Sequence, residues 1–242
     1  MGLKDRIIIS WKTLPRVIQI LVAIQVAVWV LLLPLPTEIT NKVLLAVGFS
    51  PQLFLQGRIW QLFTHPFIHA PRDLFGLIFD VLLIWILGRM FALRWRKNHF
   101  LFFLGACAVG GALFGGVAVW AWPETFSPLI TGMRAPVLGL FVAFHLVYGK
   151  ERIRLMGLSD PIQAKWILYV VVGMDVLFFI TGSNPDFAVQ MGGLLTGWLL
   201  VTGRWRPKKL RNWLKSKAKD SSWEKKRRRF RVIDGGGGPQ VH

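Results

Sequence analysis

The chain has 242 residues, a formal net charge of +18, 53% hydrophobic residues and a mean hydropathy of +0.47. A soluble domain of this length does not carry its apolar residues in long unbroken runs, and the length leaves no room for a second sizeable core. A single cysteine, Cys107, excludes an internal disulfide and a multi-cysteine metal site.

Six apolar stretches fall near 17–34, 74–93, 99–121, 130–148, 166–182 and 187–203. Each approaches the roughly 20 residues that a spanning helix needs. They predict an all-α integral membrane domain over 17–203, preceded by an N-tail, 1–16, and followed by a basic tail, 204–242. The first stretch is long and no small-residue cleavage site follows it, which favours a span over a signal peptide.

Lys and Arg of short loops are retained on the cytoplasmic side, and here they are unevenly shared. The N-tail carries Lys4, Arg6, Lys12 and Arg16; the second joint Arg89, Arg94, Arg96 and Lys97; the fourth Lys150, Arg152, Arg154 and Lys165. Fourteen more follow Gly203, whereas the remaining joints hold Lys42, Arg58 and Arg72, with Arg134 just inside the fourth span. Both termini are therefore expected in the cytoplasm, with a bacterial plasma membrane as the expected setting. The first joint, 35–73, is then extracytoplasmic. Its Phe49, Phe54, Trp60, Phe63 and Phe67 predict a structure lying in the interface, where aromatic rings are favoured.

The tail from Arg204 carries 14 basic residues against 3 acidic ones. Leu210, Trp213, Leu214 and Ala218 recur at helical spacing among Lys208, Lys209, Arg211 and Lys215, the pattern of a basic amphipathic helix on an anionic leaflet. Lys225, Lys226, Arg227, Arg228, Arg229 and Arg231 have no apolar period and predict a disordered segment. The tail's expected partner is anionic lipid; the alternative is ribosomal RNA, bound by phosphate neutralisation.

Among the histidines only His65 and His69 stand four apart, and Pro66 between them with no glutamate argues against a zinc helix. No metal and no cofactor are expected. His145, inside the fourth span, reads as a packed core histidine.

Polar groups within spans carry the functional signal, because they are costly in hydrocarbon and persist where they find partners or line a wet cavity. Counting at 1.5 Å per residue from the outer end of each span puts Asp80 roughly 9 Å deep, Arg134 roughly 6 Å, Gln190 roughly 5 Å and Asp175 roughly 12 Å. Four separate helices thus place polar groups in one half of the bilayer, which predicts a shared polar cluster. Arg134 is expected to pair with Asp80 or Asp175, with Gln190 nearby, since an Arg–carboxylate pair would neutralise both charges.

At these residues the chain resembles the rhomboid family. Gly57-Arg-Ile-Trp-Gln-Leu-Phe-Thr64 with Phe67-Ile-His-Ala70 looks like the rhomboid first-loop motif, in which Trp60 and His69 read as structural. Phe79-Asp80 with Leu83, Trp85 and Gly88 looks like its second helix, and Ile162-Gln-Ala-Lys-Trp166 is similar to a phrase before its fifth. Gly132-Met-Arg-Ala-Pro-Val-Leu-Gly139 stands where rhomboids have Gly-x-Ser-Gly-x-x-x-Gly, and Gln190-Met-Gly-Gly-Leu-Leu-Thr-Gly197 where they have His-x-Gly-Gly-x-x-x-Gly. The resemblance covers about 50–203. It implies a six-helix rhomboid-like bundle, with both termini inside.

The chemistry implied by the resemblance is that of an intramembrane serine endopeptidase, and this chain departs from it at each reacting position. Arg134 replaces the serine, Gln190 the histidine, Gly76 the helix 2 histidine and Asp80 the asparagine; Ala92 stands where a glutamate is usual. Arginine offers no nucleophilic oxygen, glutamine takes up no proton near neutrality, and a carboxylate repels a developing oxyanion. No catalytic residue is therefore assigned.

Gly111 and Gly115 in the third span, Gly139 in the fourth, and Gly193 and Gly197 in the sixth predict close helix packing, with homodimerisation through Gly193 and Gly197 as the alternative. The expected function is a pseudoprotease that binds transmembrane segments of client proteins as adaptor, chaperone or quality-control factor, with no small-molecule substrate. The alternatives are an intramembrane serine protease of non-standard chemistry and, with less support from the sequence, a pore.

Overall fold

The computed structural model describes residues 11–150, 152–153, 162–163 and 165–204. The described residues as far as Val201 belong to one compact unit. In chain order the helices are α1 (Arg16–Leu32), α2 (Thr37–Val47), α3 (Pro51–Leu55), α4 (Gln61–Thr64), α5 (Leu74–Arg94), α6 (Lys97–Ala121), α7 (Arg134–Tyr148), α8 (Lys165–Ile180) and α9 (Phe187–Thr202). A two-stranded antiparallel ribbon, β1 (Arg152–Ile153) with β2 (Ile162–Gln163), lies between α7 and α8. Helices therefore occupy all six predicted positions, five of them within two residues at either end.

The fourth span is the exception. It was expected from Ile130, and α7 begins at Arg134. The physical reason is a backbone bridge: Ile130 and Phe49 each donate an N–H to the other's carbonyl, at 2.8 and 2.9 Å, so the segment before α7 is drawn out against the first loop. Gly132 then turns the chain into the helix with φ of +84°, a conformation that side chains with a Cβ resist.

Among the described residues, α5 and α6 are long and apolar enough to cross a membrane by themselves, and α1, α7 and α9 are shorter apolar helices. The 15 residues of α7 reach only roughly 22 Å at 1.5 Å each, short of the roughly 30 Å hydrocarbon layer. Its surroundings are other helices. Every residue from Ala135 to Phe144 is buried, with α6 on one side and α8 on another.

Glycine sets the spacing around α7. A Cβ on Gly193 would collide with the backbone of Ala135, and one on Gly197 would lie 2.7 Å from Gly139 Cα. Gly111 faces Ala135 and Val189; Gly115 faces Val189; Gly139 faces Cys107 and the Gly193 carbonyl. The five glycines thus line a seam among α6, α7 and α9, where backbone contact takes the place of the hydrophobic drive that lipid removes. Gly193 and Gly197 meet residues of their own chain here.

On the opposite side α5 carries a π-turn over Ile84–Gly88, packed by α1. A Cβ on Gly88 would come within 2.9 Å of Ile18 Cδ1. Large apolar side chains face outward, Phe75 on α5 and Trp120 on α6 among the most exposed, as a lipid-facing surface requires.

Candidate functional site

Three helices begin at one end of the unit, and each start is furnished with a carboxylate. Asp73 caps α5, its Oδ1 accepting the Gly76 N–H at 3.1 Å. A side chain at Gly76 would strike that carboxylate, so the glycine leaves room for the cap. Asp186 immediately precedes α9. Asp80 reaches the start of α7 from the second turn of α5, and its Oδ2 accepts the Met133 N–H at 2.6 Å. Acidic groups are favoured at helix N-termini, where unpaired amides and the helix dipole concentrate positive charge.

Asp80 does not pair with Arg134, as the sequence had suggested. Besides Met133, its Oδ2 lies 2.9 Å from His69 Nε2, and both side chains are almost fully buried. The carboxylate thus ties the first loop to α5 and α7. Gly132 permits the arrangement, since a Cβ there would sit 3.0 Å from His69 Nε2 and 3.1 Å from Asp80 Oδ2. Arg134 turns instead to the two helix-start carboxylates, with Nη2 3.5 Å from Asp73 Oδ2 and Nη1 3.5 Å from Asp186 Oδ2. Asp175 makes no ion pair with it within 4 Å among the described residues, and Asp175 Oδ2 is buried without a hydrogen-bond partner. Burial raises the Asp186 carboxyl above its ordinary range; Arg134 pulls it back and Asp73 pushes it up again.

Gln190 is matched by an amide. Asn184 Nδ2 donates to Gln190 Oε1 at 2.8 Å and Gln190 Nε2 donates to Asn184 Oδ1 at 3.4 Å, with both residues buried. Neither group transfers protons near neutral pH.

Asp80, Arg134, Asp175, Gln190 and Gly76 all line one cavity of about 340 Å³, joined by Asp73, Ser183 and Asn184. Its apolar wall comes from α5 (Phe75, Phe79, Leu83), α7 (Val137, Leu138, Phe141) and α8 (Val171, Phe178). The predicted polar residues therefore converge, while their pairing differs. Depth along a span is legible in sequence; the direction a side chain takes around its helix is not. Asp73, Asn184 and Asp186 escaped because they lie outside the apolar runs. An acid immediately before such a run is nevertheless an N-cap signal, and Asp73 and Asp186 both have it.

In the first loop Trp60 Nε1 donates to the Ala46 carbonyl at 2.9 Å, and Thr64 Oγ1 donates to that of Val47 at 2.6 Å. His65 is buried; its Nδ1 lies 2.9 Å from the Gln61 carbonyl and Nε2 has no partner. Burial takes its pKa from 6.5 down to about 4, against the opposing pull of backbone hydrogen bonds. His145 packs edge-on to Tyr169, ring centres 5.4 Å apart. Among the described residues no three His, Cys, Asp or Glu are grouped to hold a metal. Lys208 to Arg231 of the tail lie outside the described residues.

A family model described as Eukaryotic integral membrane protein (DUF1751) matches residues 17–202. No curated protein matches the chain.

Proposed function

Since the chain belongs to the DUF1751 family of eukaryotic integral membrane proteins, we propose that it is a rhomboid-like six-helix membrane protein without protease chemistry, which binds membrane-spanning segments of client proteins between α5 and α8. One observation carries this reading: the positions that resemble a catalytic serine and histidine hold Arg134 and Gln190, engaged by Asp73, Asp186 and Asn184 at the head of a cavity walled by α5 and α8. A nucleophile needs a base within hydrogen-bond reach, and an ion pair beside an amide pair supplies neither role. The aromatic wall, by contrast, suits an apolar helix.

The loop charges favour both termini in the cytoplasm and the cavity toward the opposite face. That argument holds for any membrane obeying the positive-inside bias. The sequence alone suggested a bacterial plasma membrane, whereas the family is described as eukaryotic. The tail would hold anionic lipid on the cytoplasmic side or, alternatively, ribosomal RNA.

Photoreactive residues at Phe79 and Phe178, both lining the cavity, test the proposal in native membranes. Crosslinks mapped to the spans of single-pass proteins are expected; crosslinks to lipid alone would defeat it. A second reading has one observation in its favour, since Ser183 lines the same cavity as Asp175. Labelling by a serine-reactive phosphonate that disappears in Ser183→Ala would establish that protease reading instead.

A further inference from the structure

Building on the client-binding reading, we infer that the α5–α8 groove selects spans carrying a lysine or arginine in the half of the bilayer where α5 begins. The groove is apolar along its length and acidic at its head. Among the described residues its charged lining consists of Asp73, Asp80 and Asp175 against Arg134.

The pairings show which charge is left over. Asp80 is satisfied by the Met133 N–H and His69. Arg134 is divided between Asp73 and Asp186. Asp175 remains on α8, with Oδ2 buried and without a hydrogen-bond partner. The starts of α5, α7 and α9 together contribute about +1.5 through their dipoles, taking about half a charge each. Against that contribution and Arg134 stand four carboxyl groups, Asp73, Asp80, Asp175 and Asp186, an excess of acidic groups over basic ones.

In a low-dielectric groove such an excess attracts a cation strongly. A basic side chain inside a client span is itself costly without a counter-charge, so each would supply what the other lacks. Access is lateral. α8 packs on α7 and buries only Leu168, leaving Met174, Leu177 and Phe178 exposed, while Phe75 and Phe79 of α5 are exposed likewise. An apolar helix can lie along these side chains and direct its basic residue toward Asp175.

The full chain in phosphatidylcholine nanodiscs can be titrated with synthetic Leu/Ala spans of roughly 20 residues that differ only in an Arg, Gln or Glu near the end matching the start of α5. The Arg span should bind at least about tenfold more tightly than the Gln span, and the Glu span most weakly. Asp175→Asn should abolish most of that preference, read as the ratio of Arg-span to Gln-span affinity, with an unchanged circular dichroism spectrum and thermal midpoint reporting an intact fold. Asp175→Lys should turn the preference toward Glu. Equal binding of Arg and Gln spans would overturn the charge selectivity and leave client binding standing. Absence of binding by every span would overturn both.

Discussion

The α6–α7–α9 seam and the α5–α8 groove are built on opposite principles. In the seam, backbones meet through glycine, and ten consecutive residues of α7 are buried. In the groove, α8 buries a single residue, Leu168, and large side chains stand between two helices with space left over. Lipid gives helices no hydrophobic reason to associate, so close packing and polar contacts decide which of them stay together. The seam has those contacts; α8 is left as a wall attached along one side.

Glycine substitution makes the largest test of this contrast. Gly193→Leu places a side chain into the Ala135 backbone and should cost more than about 4 kcal/mol, the range reserved for gross overpacking. Gly173→Leu on α8, where a Cβ meets nothing within 4 Å, should stay within about 0.5 kcal/mol. Unfolding by steric trapping in bicelles measures both, and equal costs would erase the distinction. Asp80→Ala comes next, at about 3 kcal/mol, because it strands the buried Met133 N–H and His69 together.

Acid provides a test of comparable size. His65 is held neutral with a folded-state pKa of about 4 against 6.5, so between those values the unfolded chain binds more protons. The stability associated with neutral His65 is complete above pH 6.5, declines as pH falls toward 4, and totals about 3 kcal/mol at about 1.4 kcal/mol per unit. His65→Gln should flatten that part of the pH profile. Among the single polar substitutions the smallest effect is expected from Arg134→Met. Its partners are 3.5 Å away, and it and Asp73 are each about a third exposed, so water screens the pairs and about 1 kcal/mol is expected to be lost. Replacing Arg134 and Asp186 together by neutral residues, with the Asp73 cap kept, should cost less than removing Arg134 alone, since the more buried carboxylate is then not left unmatched.

Much of the architecture was legible in the sequence because apolar length is a strong signal. It located α1, α5, α6, α8 and α9 to within two residues, and it failed at the start of α7, where the bond between Ile130 and Phe49 is a contact across 81 positions that no local pattern encodes. The polar residues of the candidate site were identified by depth, and they share a cavity. Their partners were misassigned because Asp80 had two nearer claimants, a backbone N–H and the first-loop His69. Neither a main-chain donor nor a histidine outside the spans enters a count of intramembrane charges.

The bond between Asp80 and the amide of Met133 bears on what this scaffold could be engineered to do. An anion already resides against a donor at the head of α7, so placing a hydroxyl at position 134 and an imidazole at position 190 would still leave a negative group where a developing oxyanion would need that donor. Installing hydrolysis here would require a change at position 80 as well, and that change would release His69 and with it the first loop.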